Sequence, residues 1–168
     1  GRLAQLPIHV DDSSALTIPQ IRARTRRWAS EHKRHGLVVV DYIQLLAVVK
    51  SRGANREQEV AEASRGLKAI ARETGSTCLG LAQVGRECEK RDNKRPRLSD
   101  LRESGSLEQD ADAVLFVYRD EYYDTESKDR GICEVIVAKQ RNGPPGMVKL
   151  AFDEASGRFS DLAMRKEF

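Results

Sequence analysis

No stretch of the chain approaches the ~20 consecutive apolar residues that a membrane-spanning helix needs. The opening "GRLAQLPIHV" also lacks the apolar centre of a secretory signal. These two absences predict a cytoplasmic protein with no membrane partner. Cysteines are few: Cys78, Cys88 and Cys133 form no C-x-x-C and do not group with His9, His32 or His35 at zinc-ligand spacing. A disulfide framework and a structural metal site are therefore not expected, and the three read as reduced thiols. The excess of one sign of charge is small as well. A net charge of +3 does not by itself argue for a nucleic-acid partner, so the placement of the cations matters more than their number. What is present is 168 residues, 39% hydrophobic and 33% charged, with a mean hydropathy of -0.57, enough for one domain with a core.

Strand and helix signals alternate along the first half. "LPIHV" is a short strand candidate, and Thr17 with Gln20 forms a T-x-x-Q capping pattern that opens a helix. Its apolar stripe is Ile18, Ile21, Thr25, Trp28 and Ala29, which leaves Arg22, Arg24, Arg26, Arg27, Lys33 and Arg34 on solvated faces. "GLVVVDYIQLL" follows, a short apolar run of the kind covered on both sides by helices in parallel sheets, with Asp41 at its carboxyl end. After the polar loop "KSRGAN", a second helix is predicted from about Arg56 to Thr74, with Val60, Ala63, Leu67, Ile70 and Ala71 inward. Asn55 caps it and Gly75 ends it. "TCLGLAQ" reads as another buried strand, with Gln83 at its tip.

Beyond Gln83 the composition changes. "VGRECEKRDNKRPRLSDLRESGSLEQDAD" holds almost no large apolar residue for about twenty positions and carries seven Lys or Arg between Arg86 and Arg102. It is expected to be a mobile basic loop running into a helical turn near "SLEQDAD". Three strands, "AVLFVY", "ICEVIVA" and "MVKLAF", come next, and "DEASGRF" makes a final turn before a tail, "DLAMRKEF", expected to be disordered. The pattern predicts an α/β fold, a mostly parallel sheet with antiparallel strands at one edge.

Three strands end in polar groups: Asp41, Gln83, and the cluster Lys139, Gln140 and Arg141. If the strands lie side by side, these converge on one sheet edge, where open α/β sheets bind ligands. An Asp there suits Mg²⁺ on a nucleotide, and it suits equally a turn or helix cap. Lys139 and Arg141 share one face of an extended segment by alternation, and "NGPPG" behind them makes a tight turn. A nucleotide site also needs G-x-x-x-x-G-K-[ST], and no Gly in the chain is followed by Lys. Gly75 to Gly80, followed by Leu81, is the nearest match.

"VVVDYIQLL", "LGLAQVGRECEKRDNKRPRLSDLRESGSLEQDADAVLFVYRDE" and "AKQRNGPPGMVKLAF" resemble, nearly residue for residue, the motor domain of DnaB-type replicative DNA helicases. "NREQEVAEASRGLKAIA" and "PIHVDDSSALTIPQIRARTR" share the likeness, which covers about residues 3–160. The resemblance implies a partial RecA-like P-loop NTPase fold in residues 1–160, the carboxy-terminal part of a motor domain, with a flexible tail over 161–168. It implies ATP and Mg²⁺ as cofactors of the complete protein. The implied partners are single-stranded DNA, further copies in a homo-hexamer, a primase and a helicase loader, and the implied location is the nucleoid.

By position, Asp41 matches the family's Walker B aspartate, which orders Mg²⁺ through water, and Gln83 matches the glutamine that senses nucleotide. Lys139 and Arg141 match cations that reach the γ-phosphate held by the neighbouring subunit, and Arg102, Glu103 and Gly105 match a loop that tracks DNA. Glu103 is an odd neighbour for phosphate and is expected to orient Arg102 instead. The departure from the family is the missing phosphate loop, which the resemblance places upstream of Gly1. That reading predicts a fragment unable to hydrolyse ATP alone. A phage, clock or repair ring ATPase fits "DLRESGSLEQDAD" less well. The reading from a different class is a non-catalytic module that binds single-stranded DNA or regulates a helicase.

Overall fold

The computed structural model describes residues 5–46 and 55–162, with the backbone alone at 102–104. Helix α1, Ile18–His32, starts where the Thr17 backbone N–H donates to Gln20 Oε1 at 2.9 Å, with a proline in the first turn. Ile21 and Thr25 are buried and Trp28 and Ala29 half-buried, while the six cations of the other faces are all exposed. Arg22 and Arg26 both pair with Glu73. Helix α2, Arg56–Thr74, has the expected bounds. The Asn55 side chain accepts the Gln58 N–H at 2.9 Å, and Gly75 ends the helix at φ 66°, a conformation that suits a residue without Cβ.

The core forms where α2 meets its neighbours. Val60, Ala63, Leu67 and Ile70 pack with Ile21 of α1, with Val40 and Ile43, and with Leu107. Gly66 makes the α1 contact possible, since a Cβ there would overlap Ile18 Cγ2. Strands β1, Leu37–Val40, and β2, Thr77–Gly80, pair in parallel from Leu37 opposite Thr77 to Val40 opposite Gly80. Helix α3, Gly105–Asp110, leads into a four-stranded antiparallel sheet in sequence order: β3 Ala113–Tyr118, β4 Ile132–Gln140, β5 Gly146–Asp153 and β6 Arg158–Asp161. A bulge interrupts the β3–β4 ladder: Leu115 faces Val137 and Val114 faces Lys139, leaving Ala138 unmatched.

The α/β class, with a parallel and an antiparallel part, is the one the sequence predicts, but the parallel pair and the four antiparallel strands form separate sheets instead of one mostly parallel sheet. Several local expectations change. "LPIHV" is exposed and outside any strand, because no described strand lies beside it and Pro7 has no N–H to give one. The β1 run is covered on one side only: Val40 is buried, whereas Leu37 and Val39 remain 63% and 53% exposed. Leu79 and Leu81 are likewise exposed, so "TCLGLAQ" is a short strand with a half-open face. "DEASGRF" turns into β6, which takes Asp161 from the predicted tail; residues 163–168 lie outside the described residues, as does most of "KSRGAN". Among the described residues no helix is long and apolar enough to cross a membrane.

Candidate functional site

The carboxyl ends of β1 and β2 are joined beyond the strands themselves. Leu81 N–H donates to Val40 O and Ile43 N–H donates to Leu81 O, both at 2.9 Å. The Gln44 side chain then brackets the main chain of Gln83, accepting its N–H at 3.4 Å and donating to its carbonyl at 3.5 Å. Asp41 and Gln83 thus reach the same sheet edge, and both are exposed there. Among the described residues no three His, Cys, Asp or Glu converge as metal ligands. One free carboxylate suits a cation that keeps most of its waters and takes further ligands from phosphate, as Mg²⁺ does. It does not suit a closed protein cage.

Lys139 and Arg141 do not join that edge. They sit on the antiparallel sheet, and their partners lie at the α3–β3 junction. Lys139 Nζ donates to the carbonyls of Glu108, Gln109 (3.4 Å) and Ala111 (2.9 Å), which uses the three protons of an ammonium at the negative end of α3. Arg141 N–H donates to Asp112 O at 2.8 Å, and Arg141 Nη1 lies 3.2 Å from Asp112 Oδ1. The other Asp112 oxygen accepts from Lys68 of α2. That hydrogen bond, with the positive field of Lys68, Arg141 and Arg72, holds the Asp112 carboxyl below its usual range. Arg65, Lys68, Arg72 and Arg141 line a shallow open depression together with Asp110.

The basic stretch is folded rather than a free loop. Short 3₁₀ segments span Arg86–Lys90 and Leu98–Ser104, and Cys88 is buried. Its cations are partly consumed by acids. Arg91 donates to Asp100 Oδ2 at 2.7 Å, and Asp100 O accepts the N–H of Gly85 at 3.2 Å. Arg95 forms a two-pronged bond to Glu134 of β4, at 2.6 and 2.9 Å, and lies 4.7 Å over the Tyr118 ring. Glu134 is 2% exposed. Its carboxylate, bonded to the guanidinium, raises the Arg95 pKa. Beside it the Tyr118 phenol, donating to Asp120 at 2.6 Å, is pushed up to about 12 by burial and by that bond. Among the described side chains, Arg86, Lys90, Lys94 and Arg97 are the cations of this stretch outside such deep pairs, and Lys90 meets exposed Glu87. Among the described residues nothing lies within 4 Å of a Cβ added at Gly105. The side chains of Arg102 and Glu103 lie outside the described residues.

Gln44, Lys68, Glu134 and Asp112 were not singled out by the sequence. Asp112 had a visible signal, as the last acid of "EQDAD" before a strand; the others depend on contacts between distant segments. Residues 1–161 match the family model described as the DnaB-like helicase C terminal domain. A replicative DNA helicase DnaB of Geobacillus stearothermophilus is 47% identical over 165 residues, 98% of this chain and 36% of its own length. The chain thus spans about a third of such relatives. Among solved structures, one described as an ATPase domain superposes with a TM-score of 0.91 at 42% identity, over 97% of this chain and 57% of that one. A DnaB-like replicative helicase described with its interactions with primase gives 0.90 at 42%, over 97% of this chain and 40% of that one.

Proposed function

Because the chain belongs to the DnaB-like helicase C-terminal domain family, we propose that it is part of the motor of a hexameric replicative helicase. The whole protein couples ATP hydrolysis to movement along single-stranded DNA and to duplex unwinding. Residues 1–160 are the carboxy-terminal part of its RecA-like domain. The observation that best supports this reading is the division of polar groups into two places: Asp41 and Gln83 on the β1–β2 edge, Lys139 and Arg141 on the other sheet. A site built between subunits needs one set of groups for its own nucleotide and another for its neighbour's.

On this reading Asp41 would hold Mg²⁺, and the ion, when bound, would neutralise charge on the phosphates of ATP. Gln83, steadied by Gln44, senses the nucleotide, and its chain runs directly into Gly85, which is bonded to Asp100. Lys139 and Arg141 are the cations for the γ-phosphate bound to the adjacent subunit; Arg141 keeps donors for it, whereas Lys139 must exchange its carbonyl partners at Glu108, Gln109 and Ala111 to reach it. Arg102, Glu103 and Gly105 track the DNA backbone; the open space at Gly105 supports an approach of phosphate to main-chain N–H groups. Primase contact follows the solved neighbour's description, and ring assembly on DNA calls for a loader.

Two measurements on the 168-residue chain test this. The amides and Lys of a phosphate loop supply most of the contacts to a triphosphate, and the chain has no G-x-x-x-x-G-K-[ST]. Calorimetry should therefore show no tight MgATP binding; low-micromolar affinity lost in Asp41→Ala would overturn the expectation. Fluorescence anisotropy should show weak binding to oligo-dT that falls steeply with salt, because each phosphate contact releases counterions. Binding that ignores Arg102→Ala, or none at low salt, counts against the DNA loop.

A further inference from the structure

Arg141 has a flexible side chain at the end of a strand, and a cation that acts on another subunit's phosphate must arrive there in a defined direction. Asp112 is the group that supplies a direction. It fixes Arg141 twice, by its carbonyl on the Arg141 N–H at 2.8 Å and by its carboxylate 3.2 Å from Nη1. The carboxylate is itself tethered from behind by Lys68, whose side chain is only 21% exposed on the α2 face. The chain of contacts runs from a helix packed in the core, through Lys68 and Asp112, to the guanidinium. We propose that Asp112 is the positioning residue for Arg141, aiming its fork toward the nucleotide of the adjacent subunit. This rests on the reading of Arg141 given above.

Stability does not account for the arrangement. The Arg141 and Asp112 side chains are each 59% exposed, and an exposed ion pair contributes little to folding. Orientation does account for it. One Nη1 contact leaves most of the five guanidinium N–H donors available, so the carboxylate can steer the group without occupying it. The charge of Asp112 would weaken the cation's field if it were not shared, and Lys68 on the far oxygen offsets it. Arg65 and Arg72, one turn to either side of Lys68, line the depression with Arg141 and a second acid, Asp110, and Arg72 adds to the positive field on Asp112.

The test uses the complete helicase, with Asp112→Asn, Asp112→Glu, Arg141→Ala and the Asn/Ala double variant, all checked for hexamer assembly. Asp112→Asn should lower kcat about tenfold to a hundredfold, the scale of a misplaced catalytic group, with the KM for ATP unchanged. Asp112→Glu should recover much of that loss. In the Arg141→Ala background Asp112→Asn should have no further effect, because nothing is left to aim. If Arg141→Ala abolishes turnover while Asp112→Asn preserves it, the Asp112 assignment falls and the role of Arg141 stands. An Asp112→Asn loss that persists in full on top of Arg141→Ala also overturns it, as does a variant that fails to assemble while Asp112→Glu assembles yet turns over no better than Arg141→Ala. Turnover unaffected by Arg141→Ala would remove both readings together.

Discussion

Arg141→Ala, made in the complete helicase, should leave nucleotide affinity nearly unchanged and lower ATP turnover by about 10³-fold or more. The size follows from chemistry at a transferring phosphoryl group, where an arginine supplied by a neighbour is worth about 10³ to 10⁵ in kcat, roughly 4 to 7 kcal/mol. Against this, the side-chain ion pair that Arg141 makes among the described residues is the exposed one with Asp112, worth at most ~1 kcal/mol. Fold and function therefore separate cleanly: the variant should melt like the parent and fail at turnover. Mixing is the discriminating measurement. Rings formed from Arg141→Ala subunits and subunits with a disabled phosphate-loop Lys contain interfaces where both intact halves meet, and those should hydrolyse ATP. If mixed rings assemble but hydrolyse no more than either variant alone, Arg141 does not act across the interface.

Arg95→Ala should be the most damaging single change to folding in the basic segment, at about 3 to 5 kcal/mol. The reason is the acid it would abandon. Glu134 is 2% exposed and accepts two bonds from Arg95, and the next cation, Lys149, stands 3.6 Å away. Removing the guanidinium leaves a buried carboxylate short of donors and takes the cation off the Tyr118 ring. Domains of ordinary stability have about 5 to 15 kcal/mol in total, so a loss on this scale should be plain as a lowered midpoint in urea denaturation. Arg95→Met with Glu134→Leu should recover a large part of it, since apolar packing replaces a buried pair at little cost. A midpoint for Arg95→Ala within experimental error of the parent would show that Glu134 is served by Lys149 and water, and that the pair is dispensable.

Elements whose instructions are local were legible from the residues alone. For α2, the cap at Asn55, the apolar spacing and the terminating Gly75 lie within one stretch, and the bounds came out as expected. Burial of β1 did not, because whether Leu37 and Val39 are covered depends on what packs against them, not on their own sequence. The basic stretch shows the same limit. Its cations looked solvated because the acid that takes Arg95 lies 39 residues away, on a strand whose alternation reads as plain core. At the site, Asp41 and Gln83 were sent to one edge by strand order, whereas Lys139 and Arg141 were expected there too and belong to the α3–β3 junction. Their separation follows from the hydrogen bonding of β3 to β4, which makes a sheet apart from β1 and β2. Family resemblance supplied the roles; it did not supply Asp112.

The unmatched Ala138 decides which side of β4 carries the cationic arm. Opposed residues of a ladder share a face, so Leu115 puts Val137 on one side of β4 while Val114 puts Lys139 on the other, together with Ile136 and Glu134. In a regular ladder of the same length Lys139 would stand opposite Ala113, turned over to the side of Val137, away from Glu134. Deleting Ala138 would remove the bulge yet leave Lys139 opposite Val114, on the same side and at the same place along β3. The side is thus fixed by the pairing of Lys139 with Val114, and the bulge absorbs the extra residue. A change that moves Lys139 off Val114 should therefore be tolerated less well than the loss of the bulge itself.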